Sequence, residues 1–203
     1  MKNFEKIYII LSSQRSGSSF LVRSMANLNA NYICLGEAFI NINGHKKHLY
    51  PHPSIPHHGS FKNNLNKKNL GIESMITEHV PDTKALVFKV FNQHIANNNL
   101  SLLTNISLPK KFIILKRSLK DSYKSLCRAY QTGDWTTNRN LNSNAVKLQN
   151  FQPKSPPTFD QYSQNINNWF HKCEKHLNQE KEDVTFVSFD DLISKDFNFE
   201  SLL

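Results

Sequence analysis

The residues best placed to do chemistry lie in one short loop. Ile7 to Leu11 is a β-branched and aromatic run suited to a buried strand. Gln14, Arg15, Ser16, Gly17, Ser18 and Ser19 come next, and Phe20, Leu21, Met25 and Leu28 then recur at helical spacing. A strand, a tight polar loop and a helix N-terminus together make an anion site. The free N–H groups at the start of the helix point into the loop, and the helix dipole favours negative charge there. The loop fails the triphosphate-binding pattern GxxxxGK[ST], because Ser12 stands at the first glycine and Ser18 at the lysine. Arg15 puts a guanidinium there instead, a planar fork suited to a terminal phosphate and its bridging oxygen. An ordinary strand-to-helix turn with an exposed arginine is the plainer alternative.

A second segment repeats the design. Residues 111–115 read as another buried strand, with Arg117 at its C-terminal end. Leu119, Tyr123, Leu126 and Tyr130 then share one helical face, and Ser125 falls about two turns into that helix. In a parallel α/β sheet, ligands bind outside the carboxyl ends of the strands. Two strands that each end in an arginine-bearing loop can therefore face one ligand with two separated phosphates.

These segments resemble the sulfotransferases that use 3′-phosphoadenosine 5′-phosphosulfate (PAPS). Gln14 to Phe20 is similar to that family's 5′-phosphosulfate loop, with Gln14 in place of the usual proline. Arg117 and Ser125 match its 3′-phosphate pair in type and separation, with Leu119 where the family has proline. Val187 to Leu192 resembles its Tyr-Glu-Asp-Leu segment, with Phe189 in place of tyrosine. The resemblance spans nearly the whole chain but is carried by short stretches. It implies a three-layer α/β fold with a central parallel sheet, of P-loop-like sulfotransferase architecture. It also implies PAPS as co-substrate, adenosine 3′,5′-bisphosphate (PAP) as product, and no metal. The acceptor it implies is a hydroxyl of a carbohydrate or small metabolite. Phe20 and Phe189 would stack on adenine, where the family has aromatic residues. Many members close over the 3′-phosphate with a further basic-Gly segment, and none stands between Leu192 and Leu203.

Sulfuryl transfer needs near-attack geometry, fixed positive groups on the leaving side and a base for the acceptor proton. Arg15 and the N–H groups of Ser16 to Ser19 suit the leaving side. Glu37, after Gly36, resembles the catalytic carboxylate of the bacterial and protein-tyrosine branches; burial would have to raise its pKa. A solvent-facing loop glutamate is the alternative. Lys89 sits in the apolar run Ala85 to Phe91 and is costly to bury unless paired. It could stabilise the bridging oxygen or orient Glu37, or snorkel outward. His94 is a rival base, because another branch uses a histidine near this strand.

The elements that must hold these residues follow from periodicity. Strands are predicted at 6–12, 31–35, 84–91, 111–116 and 184–188. Helices are predicted at 18–28, 70–79, 93–104, 118–131, 158–178 and 189–195. Strand and helix alternate, so the expected class is α/β around a parallel sheet. Tyr162, Ile166, Trp169, Phe170 and Cys173 form an apolar stripe that reads as core. Irregular segments 40–69 and 132–157 are expected to cover the acceptor side, with Asp134, Trp135 and Arg139 as candidate contacts.

Composition narrows the field. The 203 residues suit a single domain over 1–203, and the formal net charge is +9. The charge raises nucleic-acid binding as a rival, but Lys and Arg are dispersed and no zinc-finger spacing or long basic run occurs. We therefore expect no nucleic-acid partner. Cys34, Cys127 and Cys173 make no disulfide framework, and no run is long enough for a signal core or membrane span. These features point to a soluble, cytoplasmic protein. His45, His48, His52, His57 and His58 lie among prolines and read as an acceptor loop before a metal site. A nucleotide kinase or other triphosphate enzyme, and a non-catalytic nucleotide-binding protein, are the competing readings.

Overall fold

Buried strands that are apolar on both faces force a layered sandwich, and that is what the chain forms. A computed structural model describes residues 5–29, 32–36, 85–94, 100–133 and 155–203. Within them run β1 (Lys6–Ser12), α1 (Ser18–Leu28), β2 (Tyr32–Gly36), β3 (Ala85–Val90) and the one-turn α2 (Ser101–Thr104). β4 (Lys110–Lys116), α3 (Leu119–Thr132), α4 (Phe159–Gln179), β5 (Val184–Ser188) and α5 (Phe189–Leu192) complete the order. Short 3₁₀ turns occupy Asn92–His94 and Phe199–Leu202.

The strands lie in the order β2-β3-β1-β4-β5, and every pairing is parallel. Alternate residues serve opposite faces. Ile7, Ile9 and Leu11 of β1 join Leu86 and Phe88 of β3 and Phe112 and Ile114 of β4 against Leu126, Trp169 and Cys173. Tyr8, Ile10, Val87, Ile113 and Leu115 face the other way, onto Leu21, Val22 and Met25 of α1 and Leu192 and Leu202. The expected α/β fold with helices on both faces of a parallel sheet is thus the observed one.

Two expected helices come out differently. The stretch predicted at 93–104 shows a 3₁₀ turn and the four-residue α2, with 95–99 outside the described residues. The helix predicted at 189–195 stops after one turn at Leu192. The hydrogen-bond ladder tightens there: Ile193 N–H bonds the Phe189 carbonyl at 3.1 Å, but Ser194 N–H bonds the Asp191 carbonyl, three residues back, at 2.9 Å. A bond to the third residue back is the tighter 3₁₀ step with which helices commonly end. The helix predicted at 70–79 lies outside the described residues.

Topology selects one rim of the sheet for a ligand. After β1 the chain moves toward the β2 edge, whereas after β4 it moves toward the β5 edge. The paired strands β1 and β4 therefore bracket the point where the winding reverses. In open α/β sheets such a reversal is where ligands bind, beyond the carboxyl ends of the strands. The loops after β1 and β4 are the ones that carry Arg15 and Arg117.

Candidate functional site

The end of β1 is pinned from below before the loop begins. Trp169, buried in α4, donates its indole N–H to the Ser12 carbonyl at 3.2 Å. Ser16 N–H then closes a turn onto the Ser13 carbonyl at 3.3 Å. Inside that turn Arg15 adopts φ +64°, the left-handed region that L residues rarely enter. Gly17 follows at φ +90° as the N-cap of α1. Only glycine fits: a Cβ at Gly17 would run into the Phe189 ring.

The N-terminus of α1 is left electropositive. Gly17 supplies no capping side chain, and the first turn holds no acidic residue. By contrast, α3 is capped by Ser118 Oγ and α4 by the reciprocal Thr158–Gln161 box. Cations are added where the helix dipole already disfavours them. Lys89, only 4 % exposed, reaches from the α1 face of β3 and donates to Ser19 Oγ at 2.7 Å. Its ammonium also lies 5.2 Å from the centre of the Phe91 ring. A buried ammonium beside a helix N-terminus is unfavourable in isolation, and an anion bound there relieves it.

Arg117 and Ser125 meet the same loop. Arg15 Nε donates to Ser125 Oγ at 2.9 Å, and Arg117 Nη1 donates to the Arg15 carbonyl at 3.0 Å. The Arg117 guanidinium carbon sits 4.3 Å from the centre of the Phe189 ring. Phe189 thus touches Gly17 and Arg117 together. It opens α5, whose N-terminus is fixed by Ser188 Oγ accepting from Asp191 N–H at 3.0 Å. The expected residues of the two phosphate ends are in direct contact, through bonds that span 110 and 102 positions of the chain.

Other candidates stand around this centre. Gln14 is half-buried and Ser18 buried. The hydroxyls of Ser12 and Ser16 are buried with no hydrogen-bond partner among the described residues. Phe20, 42 % exposed, meets Phe199 edge-on at 6.3 Å. His94 Nδ1 accepts the Phe91 N–H at 3.1 Å. A neutral ring held this way carries its proton on Nε2 and has no lone pair there to take another. Glu37, Asp134, Trp135, Arg139, segment 40–69 and the histidines at 45–58 lie outside the described residues.

Two supporting residues were not expected at the site. Trp169 and Tyr162 read as core stripe, and they are core, yet each also serves the rim. A buried tryptophan must place its N–H, and that need was the available signal. The Tyr162 phenol is pushed up in pKa by burial, which Ser122, Ser13 and the Arg117 charge offset only in part. Its hydroxyl is neutral and buried, with no hydrogen-bond partner among the described residues.

No family model matches the chain, and no curated relative does. Solved structures that resemble it include a retinol dehydratase in complex with retinol and PAP, with a TM-score of 0.40 and 14 % identity. The match covers 93 % of this chain and 56 % of that one, so the chain spans little more than half of that protein's length. At that identity and superposition the likeness bears on neither the activity nor the ligand of this chain. Among the described residues no helix is long and apolar enough to cross a membrane, and no group of three His, Cys, Asp or Glu is placed to hold a metal.

Proposed function

We propose that the protein is a sulfotransferase that moves a sulfuryl group from PAPS to an acceptor hydroxyl of a carbohydrate or small metabolite. The observation that carries this reading is the convergence of Arg15, Arg117 and Ser125 at the reversal point of the sheet. Lys89 and the N-terminus of α1 supply further positive potential beside them. A bisphosphorylated nucleotide suits two cation sets contributed by adjacent strand ends.

The chemistry follows from that arrangement. The acceptor oxygen attacks sulfur in line, the S–O bond to the 5′-phosphate breaks, and its electron pair stays on the departing phosphate oxygen. The loop N–H groups, Arg15 and Lys89 receive that charge without reorganising. Arg117 and Ser125 hold the 3′-phosphate and set the line of attack. Glu37 takes the acceptor proton, and His94 is the weaker base because its Nδ1 is already engaged. The step calls for no metal, since the leaving group is a stabilised phosphate. The same reading takes the chain as one cytoplasmic domain.

Thermal shift tests the nucleotide. PAP at about a hundred times its Kd adds roughly 2.7 kcal/mol, which for a chain of this size raises Tm by roughly 5–11 °C. ATP with Mg²⁺ is expected to raise it less, and the reverse order would favour a kinase. Glu37→Ala is expected to keep the PAP shift and lose labelled sulfuryl transfer by about 10²-fold or more, in the range of general-base contributions. Transfer that survives this substitution would move the base to another group.

A further inference from the structure

We infer that Arg117 also shapes the Arg15 loop, so that the two ends of the nucleotide site are energetically coupled. This deepens the reading above by giving the site a means of selecting nucleotides phosphorylated at both ends. The starting observation is the backbone of Arg15. A non-glycine residue at φ +64° is disfavoured and persists only where its surroundings over-determine it. The Ser13–Ser16 turn is one constraint, at a long 3.3 Å. Arg117 is the second, because its Nη1 captures the carbonyl of that same strained residue at 3.0 Å. Phe189 is the third, packed against Gly17 two residues on.

Arg117 and Phe189 act together. The ring lies against the guanidinium, 4.3 Å from centroid to Cζ, while the Arg15 carbonyl holds the guanidinium by its edge. Those two contacts orient the planar group, and a phosphate on its remaining donors fixes it further. It has five N–H donors, and only one is bonded to a protein acceptor among the described residues. No carboxylate among the described residues pairs with it. The same guanidinium can therefore hold the loop and a phosphate at once. A phosphate that immobilises Arg117 also immobilises the Arg15 peptide, and with it the N–H groups facing the other end of the ligand. Arg117 is in this respect a positioning residue for the loop as well as a phosphate ligand.

Hydrogen exchange of the ligand-free protein isolates the positioning role. In Arg117→Ala, amides of the 12–20 segment are expected to exchange about tenfold faster, with β3 and α4 unchanged. Arg117→Lys, which keeps one donor within reach of the Arg15 carbonyl, is expected to bring that rate back to within about threefold of the wild type. Adenosine 5′-phosphosulfate, which has no 3′-phosphate to offer Arg117, is expected to bind Arg117→Ala about tenfold more weakly than wild type. Acceleration under threefold in the 12–20 segment overturns the inference. So does equal acceleration across β3 and α4, which reports global destabilisation. The nucleotide reading fails separately: a wild-type protein that PAP does not stabilise refutes that reading while the exchange result on the ligand-free loop still stands or falls by itself.

Discussion

Gly17→Ala is expected to lower the melting temperature by about 10 °C and to abolish the PAP-induced shift. Two costs combine. An L side chain held at φ +90° loses about 1–2 kcal/mol. The new methyl meets the Phe189 ring, and overpacking of this kind costs about 1–3 kcal/mol. At roughly 2–4 °C per kcal/mol for a chain of this length, the sum spans roughly 4–20 °C. Binding suffers further, because any shift that relieves the collision moves the N–H groups at the start of α1 away from the anion. The double variant with Phe189→Ala separates the costs. Removing the ring is expected to return the collision energy, about 1–3 kcal/mol, as a coupling between the two positions, and to leave the backbone cost in place. A Gly17→Ala protein that melts like wild type and still responds to PAP would show that the loop does not need this conformation.

The fold was largely legible because its signals are local. β1, β3, β4 and β5 are short apolar runs, and their predicted bounds lie within a residue of the observed ones. Both faces of β1, β3 and β4 are covered, so their continuous apolar runs read as interior strands, whereas β5 is the edge, with Phe186 exposed. Helices α1 and α4 were legible from their stripes, and the structure adds the Thr158 cap of α4. Local pattern failed at 189–195, where only the turn Phe189–Leu192 forms and the Ser194 N–H already closes back on the Asp191 carbonyl.

The site was legible only as a set of parts. The Arg15 loop, and Arg117 followed by Ser125, announce anion binding within short windows of sequence. Nothing in those windows says that Arg15 reaches Ser125, or that Arg117 bonds the Arg15 carbonyl. Those contacts depend on β1 lying beside β4, a consequence of the strand order. The meeting of Phe189 with Gly17 has the same origin, since β5 and α5 return to the rim from the far end of the chain. Periodicity gives each element its faces but does not order the strands. The sequence therefore pointed to two arginines facing one ligand, and the tertiary structure adds that they are mechanically joined.

Lys89 is the residue for which sequence raised a choice that the geometry narrows. Its ammonium does not snorkel outward; it is 4 % exposed and bonded to Ser19 at the start of α1. That location puts a positive charge where backbone N–H groups already converge, which favours an anion in the loop. Lys89→Met keeps the unbranched stem, one atom shorter, and removes the charge. It is expected to weaken PAP binding by about 10- to 100-fold, the worth of a hydrogen bond to a charged group at about 1.5–3 kcal/mol. Adenosine, which carries no phosphate, is expected to bind the variant within about twofold of wild type, since a neutral ligand gains nothing from the ammonium. The wild-type charge is buried, so added salt is expected to change the affinity ratio between wild type and variant little. Calorimetric titration of both ligands at two ionic strengths reads all of this directly. An undiminished PAP affinity, with the cost confined to the melting temperature, would make Lys89 a structural cation and leave the loop to hold its anion without it.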